Sequence, residues 1–432
     1  MRDRRYKNLT VRAFAVGTGL SVIVGTFAAP LTTMAAAKDM EKPVVLRVCN
    51  WEEYIDEGGW EDDELIDLPS EDIFGENSLV SDFEEWYYET YGVPVKVEYS
   101  TFGTNEELYS QLNLGNEYDL VCPSDYMIMK LMKENKLEPL SDEFFDDSNE
   151  NNYYVKGVSP YIDGVFHENE IDGEPWSDYA AGYMWGITGM VYNPEEVTEE
   201  EASTWSILEN EKFYRQVTIK DNVRDAYFPT LAILNKNLLN STGLRNRSDY
   251  HEQLSAIMND TRKETIDESE QKLKEIRQNV YSFETDSGKA DMITGKVVAN
   301  LQWSGDGVYT MDQAEDDDFY LDWAVPEECT NLWFDGWVML KSGIGEDAAK
   351  KQAAEAFINF LCRPDIALMN FEYITYSTPN TAARELIEDE SIRNSKIAFP
   401  DLSTVPNLET FQYLGTKNDE VYNELWNKVK SK

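Results

Sequence analysis

The chain has little positive charge to set against its acid. Lys and Arg together number 38 and Asp and Glu 82, for a formal net charge of −44. Attachment to DNA, RNA or anionic lipid rests on Lys and Arg, so nucleic acid is excluded as a partner. A field of this sign draws cations over a long range, although most of the carboxylates read as a solvated surface. Histidine is almost absent: His167 and His251 stand alone in polar segments. There is no G-x-S-x-G elbow, phosphate loop or His/Cys metal cluster, so neither a cofactor nor a metal is expected. The four cysteines, Cys49, Cys122, Cys329 and Cys362, lack metal or redox spacing. Cys49 and Cys122 fall inside apolar strands and read as buried free thiols, while a Cys329–Cys362 bridge stays open. Repeats, low-complexity tracts and Pro-rich linkers are also missing. Two lobes without a tether are joined by strands that cross between them.

What is present begins with a leader. Arg2, Arg4, Arg5, Lys7 and Arg12 form a basic region, no further charge occurs until Lys38, and the run ends in Ala35-Ala36-Ala37. This predicts a signal peptide over 1–37, with an uncleaved N-terminal anchor as the alternative. The protein is then exported, to the periplasm or the outer face of the cytoplasmic membrane. No cysteine sits in a lipoprotein box. Five basic residues against Asp3 give the leader +4, so the chain from Lys38 carries −48. Apolar content of 42% and aromatic content of 12% indicate a globular protein with room for two domains.

Strand-like and helix-like segments alternate, which predicts an α/β fold with a mostly parallel sheet and helices on both faces. Strands are expected at Val44–Cys49, Val95–Ser100, Tyr118–Cys122, Tyr183–Tyr192, Gln216–Lys220, Val297–Gln302 and Leu321–Val325. Ser81 and Glu84 read as a capping box for a helix ending before Gly92, with Phe83, Trp86 and Tyr87 on its core face. Ser124 is placed to cap the next helix. Asp347–Cys362 reads as an amphipathic helix stopped by Pro364, and the last helix as capped near Asn418. Asp56–Val80 is acid-rich and reads as a surface loop. Crossings are expected at Trp185–Ile187, Asp335–Gly336 and near Ala383–Glu385. They divide the chain into lobe 1 (44–186 plus 336–384) and lobe 2 (187–335 plus 385–432), with a ligand cleft between.

Aromatic residues recur at or just past the strand ends, close to acids and hydroxyls. They are Trp51, Tyr54, Tyr126, Trp303 and Trp333. Ligands of open α/β sheets bind in the crevice outside the carboxyl ends of the strands. Aromatic faces interleaved with carboxylates suit a ligand that is apolar in its middle and cationic at its ends, as a polyamine is. Paired carboxylates with aromatics also describe a glycoside hydrolase site. Receptors for iron, thiamine, sugar or peptide are further alternatives. Ferric iron would want tyrosinate or His ligands, and Tyr87-Tyr88 sits on a core helix instead. A neutral sugar would not require Asp225, Asp306 and Asp335 to converge.

The runs Asn50-Trp51-Glu52-Glu53-Tyr54, Tyr118–Tyr126, Trp303-Ser304-Gly305-Asp306, Trp333-Phe334-Asp335, Arg363-Pro364-Asp365 and Tyr376–Asn380 occur in this order. In them the chain resembles the spermidine/putrescine-binding proteins of polyamine ABC transporters. The resemblance implies a two-lobed type II periplasmic-binding-protein (Venus-flytrap) fold. It implies a monomeric receptor, not an enzyme, that hands a polyamine to permease subunits. Trp51, Tyr54, Tyr126, Trp303, Trp333 and Tyr376 match the family's aromatic box, Asp335 its amine-gripping carboxylate, Ser124 a polar wall residue and Gln412 a hydrogen-bonding glutamine. Asn222 departs from the pattern, standing where spermidine binders carry the first of two acids, while Asp225 keeps the second. Asp306 and Glu52 add acids, so spermidine versus putrescine stays open.

Overall fold

Strand β1 (Val44–Trp51) turns Leu46 and Val48 inward and ends with Cys49 and Asn50 fully covered. In the computed structural model it pairs in parallel with β2 (Val95–Phe102) and with β3 (Leu120–Val121). The structure describes residues 42–431 apart from 61–65, 68–72, 317 and 389, and the leader expected over 1–37 lies outside them. Among the described residues no helix is long and apolar enough to cross a membrane.

The other main strands are β4 (Ala180–Tyr192), β5 (Val217–Lys220), β6 (Ser282–Glu284), β7 (Ala299–Trp303) and β8 (Thr330–Leu340). One sheet results, in the order β6-β5-β7-β4-β8-β3-β1-β2. Its two wings are parallel and meet at a long antiparallel ribbon, β4 with β8. The Thr188–Tyr192 half of β4 pairs with β7, and the Val338–Met339 end of β8 pairs with β3. Between these halves the β4–β8 register shifts at Asp335/Gly336. Such an irregularity bends a strand and re-aims its side chains. All eleven residues of β8 are buried, as expected of a strand covered on both faces. The sequence reading used Trp333 to Asp335 as a motif and set a crossing at Asp335–Gly336, but gave no bounds for this strand, because Asn331 and Asp335 break its apolar run.

Several expected caps move. The helix Leu79–Tyr91 starts at Ser78, whose Oγ accepts from the Ser81 amide at 3.2 Å. Glu84 instead accepts from the Val97 amide at 2.8 Å and pairs with Lys96 at 3.0 Å, tying the helix to β2. The apolar face begins at Leu79, three residues before the supposed box would allow. Gly92 closes this helix at φ 71°, a left-handed position that costs a glycine nothing. Ser78→Ala is expected to lower stability by about 1 kcal/mol, read as a lower urea midpoint at unchanged slope. The last helix is Thr416–Lys430 with Gly415 before it, so Asn418 lies inside its first turn and bonds the Leu414 carbonyl.

Phe83 packs edge-on to Phe357 and tilted against Phe360, joining that first helix to Ala348–Leu361 in one core with β1. Asp347 caps the second helix, and Pro364 opens the next, Pro364–Ile374, where its missing amide is harmless. All four cysteines are free and buried, so Cys329 and Cys362 form no bridge. Among its described residues the acid-rich insertion expected as a loop, Asp56–Val80, holds more than loop structure. Gly59 and Trp60 donate to the Glu76 and Gly75 carbonyls, and Ile66–Asp67 pairs antiparallel with Ile73–Phe74. Trp60 stacks on Tyr373 at 6.1 Å, with its indole N–H on Asp56 at 3.0 Å, and so fastens the insertion to the helix Pro364–Ile374.

Candidate ligand site

The β4–β8 irregularity aims Asp335 at the strand ends of the β3 wing. Its Oδ1 accepts from Ser124 Oγ at 2.7 Å and its Oδ2 from Tyr54 Oη at 2.8 Å. Ser124 occupies the N-cap position of the helix Asp125–Lys133, yet its side chain does not cap that helix. The hydroxyl is committed to Asp335, while Asn105 Nδ2 donates to it at 3.1 Å. Burial pushes the Asp335 carboxyl up to about 6, with the two hydroxyl donors pulling the other way. Among the described residues no Lys or Arg pairs with it.

A second carboxylate approaches from the other wing. Asp225 stands in the first turn of the helix Val223–Leu234, after β5, where the helix dipole favours an anion. Asn222 caps that helix by accepting from the Arg224 amide at 2.8 Å, which is what occupies the residue standing in for the missing acid. Asp225 Oδ1 accepts from the Trp303 indole N–H at 3.1 Å. Burial raises its carboxyl to about 6, against the indole bond and the charge of Lys220. It too lacks an ion pair among the described residues.

Aromatic rings run from Tyr54, on Asp335, to Tyr376, on the third acid Asp306. Tyr376 meets Tyr54 edge-on at 5.0 Å and Trp333 tilted at 5.7 Å, and its hydroxyl donates to Asp306 at 2.8 Å. A Cβ on Gly305 would overlap the Tyr376 ring, and one on Gly186 would overlap Trp333 and Ser304. Only glycine permits both close approaches. Trp51 packs on Phe102 at 4.7 Å at the end of β1, and Glu52 beside it is exposed.

Asp306 differs from the other two acids. Lys220 Nζ lies 3.0 Å and Lys289 Nζ 3.6 Å from it. Burial favours its protonated form, but these lysines and the Tyr376 bond outweigh that and hold the carboxyl below its usual value. Tyr126 is buried, donates to Glu106 at 3.0 Å and carries the Arg224 guanidinium at 4.3 Å over its ring. Gln412 donates its side-chain amide to Thr410 at 2.8 Å, and its backbone carbonyl accepts from Arg224 at 2.8 Å. The structure thus gathers Tyr54, Ser124, Trp333, Asp335, Tyr376, Trp303, Asp225 and Asp306, and engages Tyr126 and Gln412 with neighbours of their own. Sequence reasoning missed Lys220, Lys289 and Glu106. Lys220 ends a strand of otherwise apolar or hydroxyl residues, the same strand-end position that singled out the aromatics.

The family described as bacterial extracellular solute-binding protein matches residues 78–399. A spermidine/putrescine-binding periplasmic protein of Escherichia coli is 28% identical over 339 residues, 78% of this chain and 85% of its own length. A putrescine-binding periplasmic protein of Pseudomonas aeruginosa is 24% identical over 424 residues, covering 96% of this chain and 98% of that protein. The solved structure of a spermidine/putrescine ABC transporter substrate-binding protein from Streptococcus pneumoniae superposes with a TM-score of 0.62 at 27% identity, over 90% of this chain and 98% of its own. The architecture is the two-lobed type II periplasmic-binding-protein fold that the resemblance implied. The chain belongs to the bacterial extracellular solute-binding protein family.

Proposed function

We propose that this protein is an extracytoplasmic polyamine receptor that delivers spermidine or putrescine to the permease subunits of an ABC transporter. The observation that carries the reading is the pair Asp335 and Asp225. Both are buried, both are held by neutral donors, and among the described residues neither forms an ion pair. A buried carboxylate without a counter-charge is costly, and a ligand ammonium at each would remove that cost. Tyr54, Trp333, Tyr376 and Trp303 would cover the methylenes and add cation–π attraction of roughly 0.5–2 kcal/mol each. Neither term favours a neutral sugar or an anion. The names of the Escherichia coli, Pseudomonas and Streptococcus relatives support the same ligand class.

The mechanism is capture by closure. Lobe 1 (44–186 plus 336–384) would carry Trp51, Glu52, Tyr54, Ser124, Tyr126 and Tyr376. Lobe 2 (187–335 plus 385–432) would carry Asp225, Trp303, Asp306, Trp333 and Gln412, with Asp335 at the junction. A ligand bridging the lobes stabilises the closed state by its differential affinity, and the permease reads that state. Contacts between Lys130 and Asp419 at 2.8 Å and between Tyr126 and Phe411 at 6.2 Å lie where such lobes would meet. The receptor acts as a monomer, in the periplasm or on the outer face of the cytoplasmic membrane. Calorimetric titration with spermidine, putrescine and a neutral sugar tests the reading. The expected result is micromolar or tighter binding of a polyamine and no heat from the sugar; no binding of either polyamine overturns it.

A further inference from the structure

Lys220 is a buried cation in a place where a ligand cation would be expected. It is the last residue of β5 and is only 1% exposed. Its Nζ lies 3.0 Å from Asp306 Oδ2, 2.6 Å from the Thr285 carbonyl and 4.3 Å from the centre of a Trp303 ring. A carboxylate, a carbonyl and an indole face around one ammonium are the parts from which an amine subsite is built. The subsite is filled from within by the chain's own four-carbon amine.

A buried ammonium needs acceptors for its three protons, and Asp306 and the Thr285 carbonyl supply two of them. The indole face goes beyond a plain ion pair, and Asp306 also has Lys289 at 3.6 Å and the Tyr376 hydroxyl at 2.8 Å. The same Trp303 whose N–H holds Asp225 thus carries the lysine charge over its ring. An ammonium arriving at that face would meet like charge across a few ångströms of desolvated space, which disfavours it strongly.

We propose that Lys220 is a specificity-determining residue, a tethered stand-in for one ligand ammonium that makes the site select a diamine over a triamine. The inference rests on the polyamine reading above. Two ligand ammoniums find Asp335 and Asp225; a third would compete with Lys220 for Asp306 and Trp303.

The test is titration of the purified protein and of Lys220→Leu with putrescine and with spermidine, each followed by calorimetry. The protein should bind putrescine more tightly, and Lys220→Leu should shift the spermidine-to-putrescine affinity ratio at least ten-fold toward spermidine. Lys220→Gln, which keeps a donor for the Thr285 carbonyl while removing the charge, should shift it the same way and serves if the leucine variant does not fold. A ratio unchanged in a folded variant overturns the role of Lys220 and leaves the polyamine reading standing. An unsubstituted protein that binds neither amine overturns that reading, and the inference with it.

Discussion

Asp335→Asn is expected to weaken polyamine binding about a hundred-fold while leaving the fold intact. The amide is the same size as the carboxylate, and its oxygen can still accept from Ser124 or Tyr54, the two hydroxyls that hold Asp335 now. What disappears is the charge. A charge-assisted hydrogen bond contributes roughly 1.5–3 kcal/mol, and a buried ammonium left without a counter-charge adds a desolvation cost. The ligand-free variant should be no less stable at neutral pH than the unsubstituted protein. The Asp335 carboxyl sits at about 6, against an ordinary 3.8, because burial opposes its ionisation. Holding it ionised at neutral pH therefore costs on the order of 3 kcal/mol, which the amide does not incur. Calorimetry paired with thermal melts separates the two effects. Equal polyamine affinity in a folded variant would remove Asp335 from the site; lost affinity together with a collapsed melt would make its role structural.

Much of this site is legible in the sequence because it sits at strand ends, and strand ends are where apolar runs stop. Trp51, Tyr54, Tyr126 and Trp303 were found that way, each at or just past a short apolar run, whereas Ser124 and Asp225 came from the family resemblance. Asp335 was reached by motif alone. Its strand carries polar residues inside a run buried on both faces, so period-2 alternation gives no signal, and the irregularity that aims its side chain is a property of pairing with β4. Ser81 and Ser124 both have the local spacing of a cap and fail for different reasons. Ser81 lies inside a helix that already starts at Ser78, whereas Ser124 stands at the N-cap but its hydroxyl takes a stronger partner elsewhere in space. Ser124 found a carboxylate 211 residues away along the chain. The role of Asp306 was hidden for the same reason. Nothing near it in sequence announces Lys220, which the parallel β5–β7 pairing brings alongside. Lone acids can be read from a sequence; whether they already own a cation is settled by topology.

That distinction makes affinity a steep function of pH, and polyamine binding is expected to fall roughly a hundred-fold between pH 7.5 and pH 5. Asp335 and Asp225 both stand at about 6 in the ligand-free protein, each raised chiefly by burial. At pH 5 each is ionised only about one time in ten, and a ligand that needs both finds them together about one time in a hundred. The ligand itself does not titrate in this range, since alkyl ammoniums lose their protons near the lysine value of about 10. Stability runs the opposite way. A carboxyl raised above its unfolded value contributes stability that is full below about 4 and is lost as pH rises through about 6. Acidification from pH 7.5 to pH 5 should therefore raise the ligand-free contribution of these two groups while it removes the ligand's. The rise in melting temperature caused by a fixed excess of putrescine, measured against the ligand-free protein at each pH, should shrink as the affinity falls. Asp306 does not share in this, because Lys220 and Lys289 hold its carboxyl below the ordinary value, and its contribution is lost only in stronger acid. Affinity measured at half-unit steps checks the argument. A flat profile from pH 7.5 to 5.5 would mean that neither open carboxylate holds an amine. A fall shallower than one decade by pH 5 would mean that only one of them does.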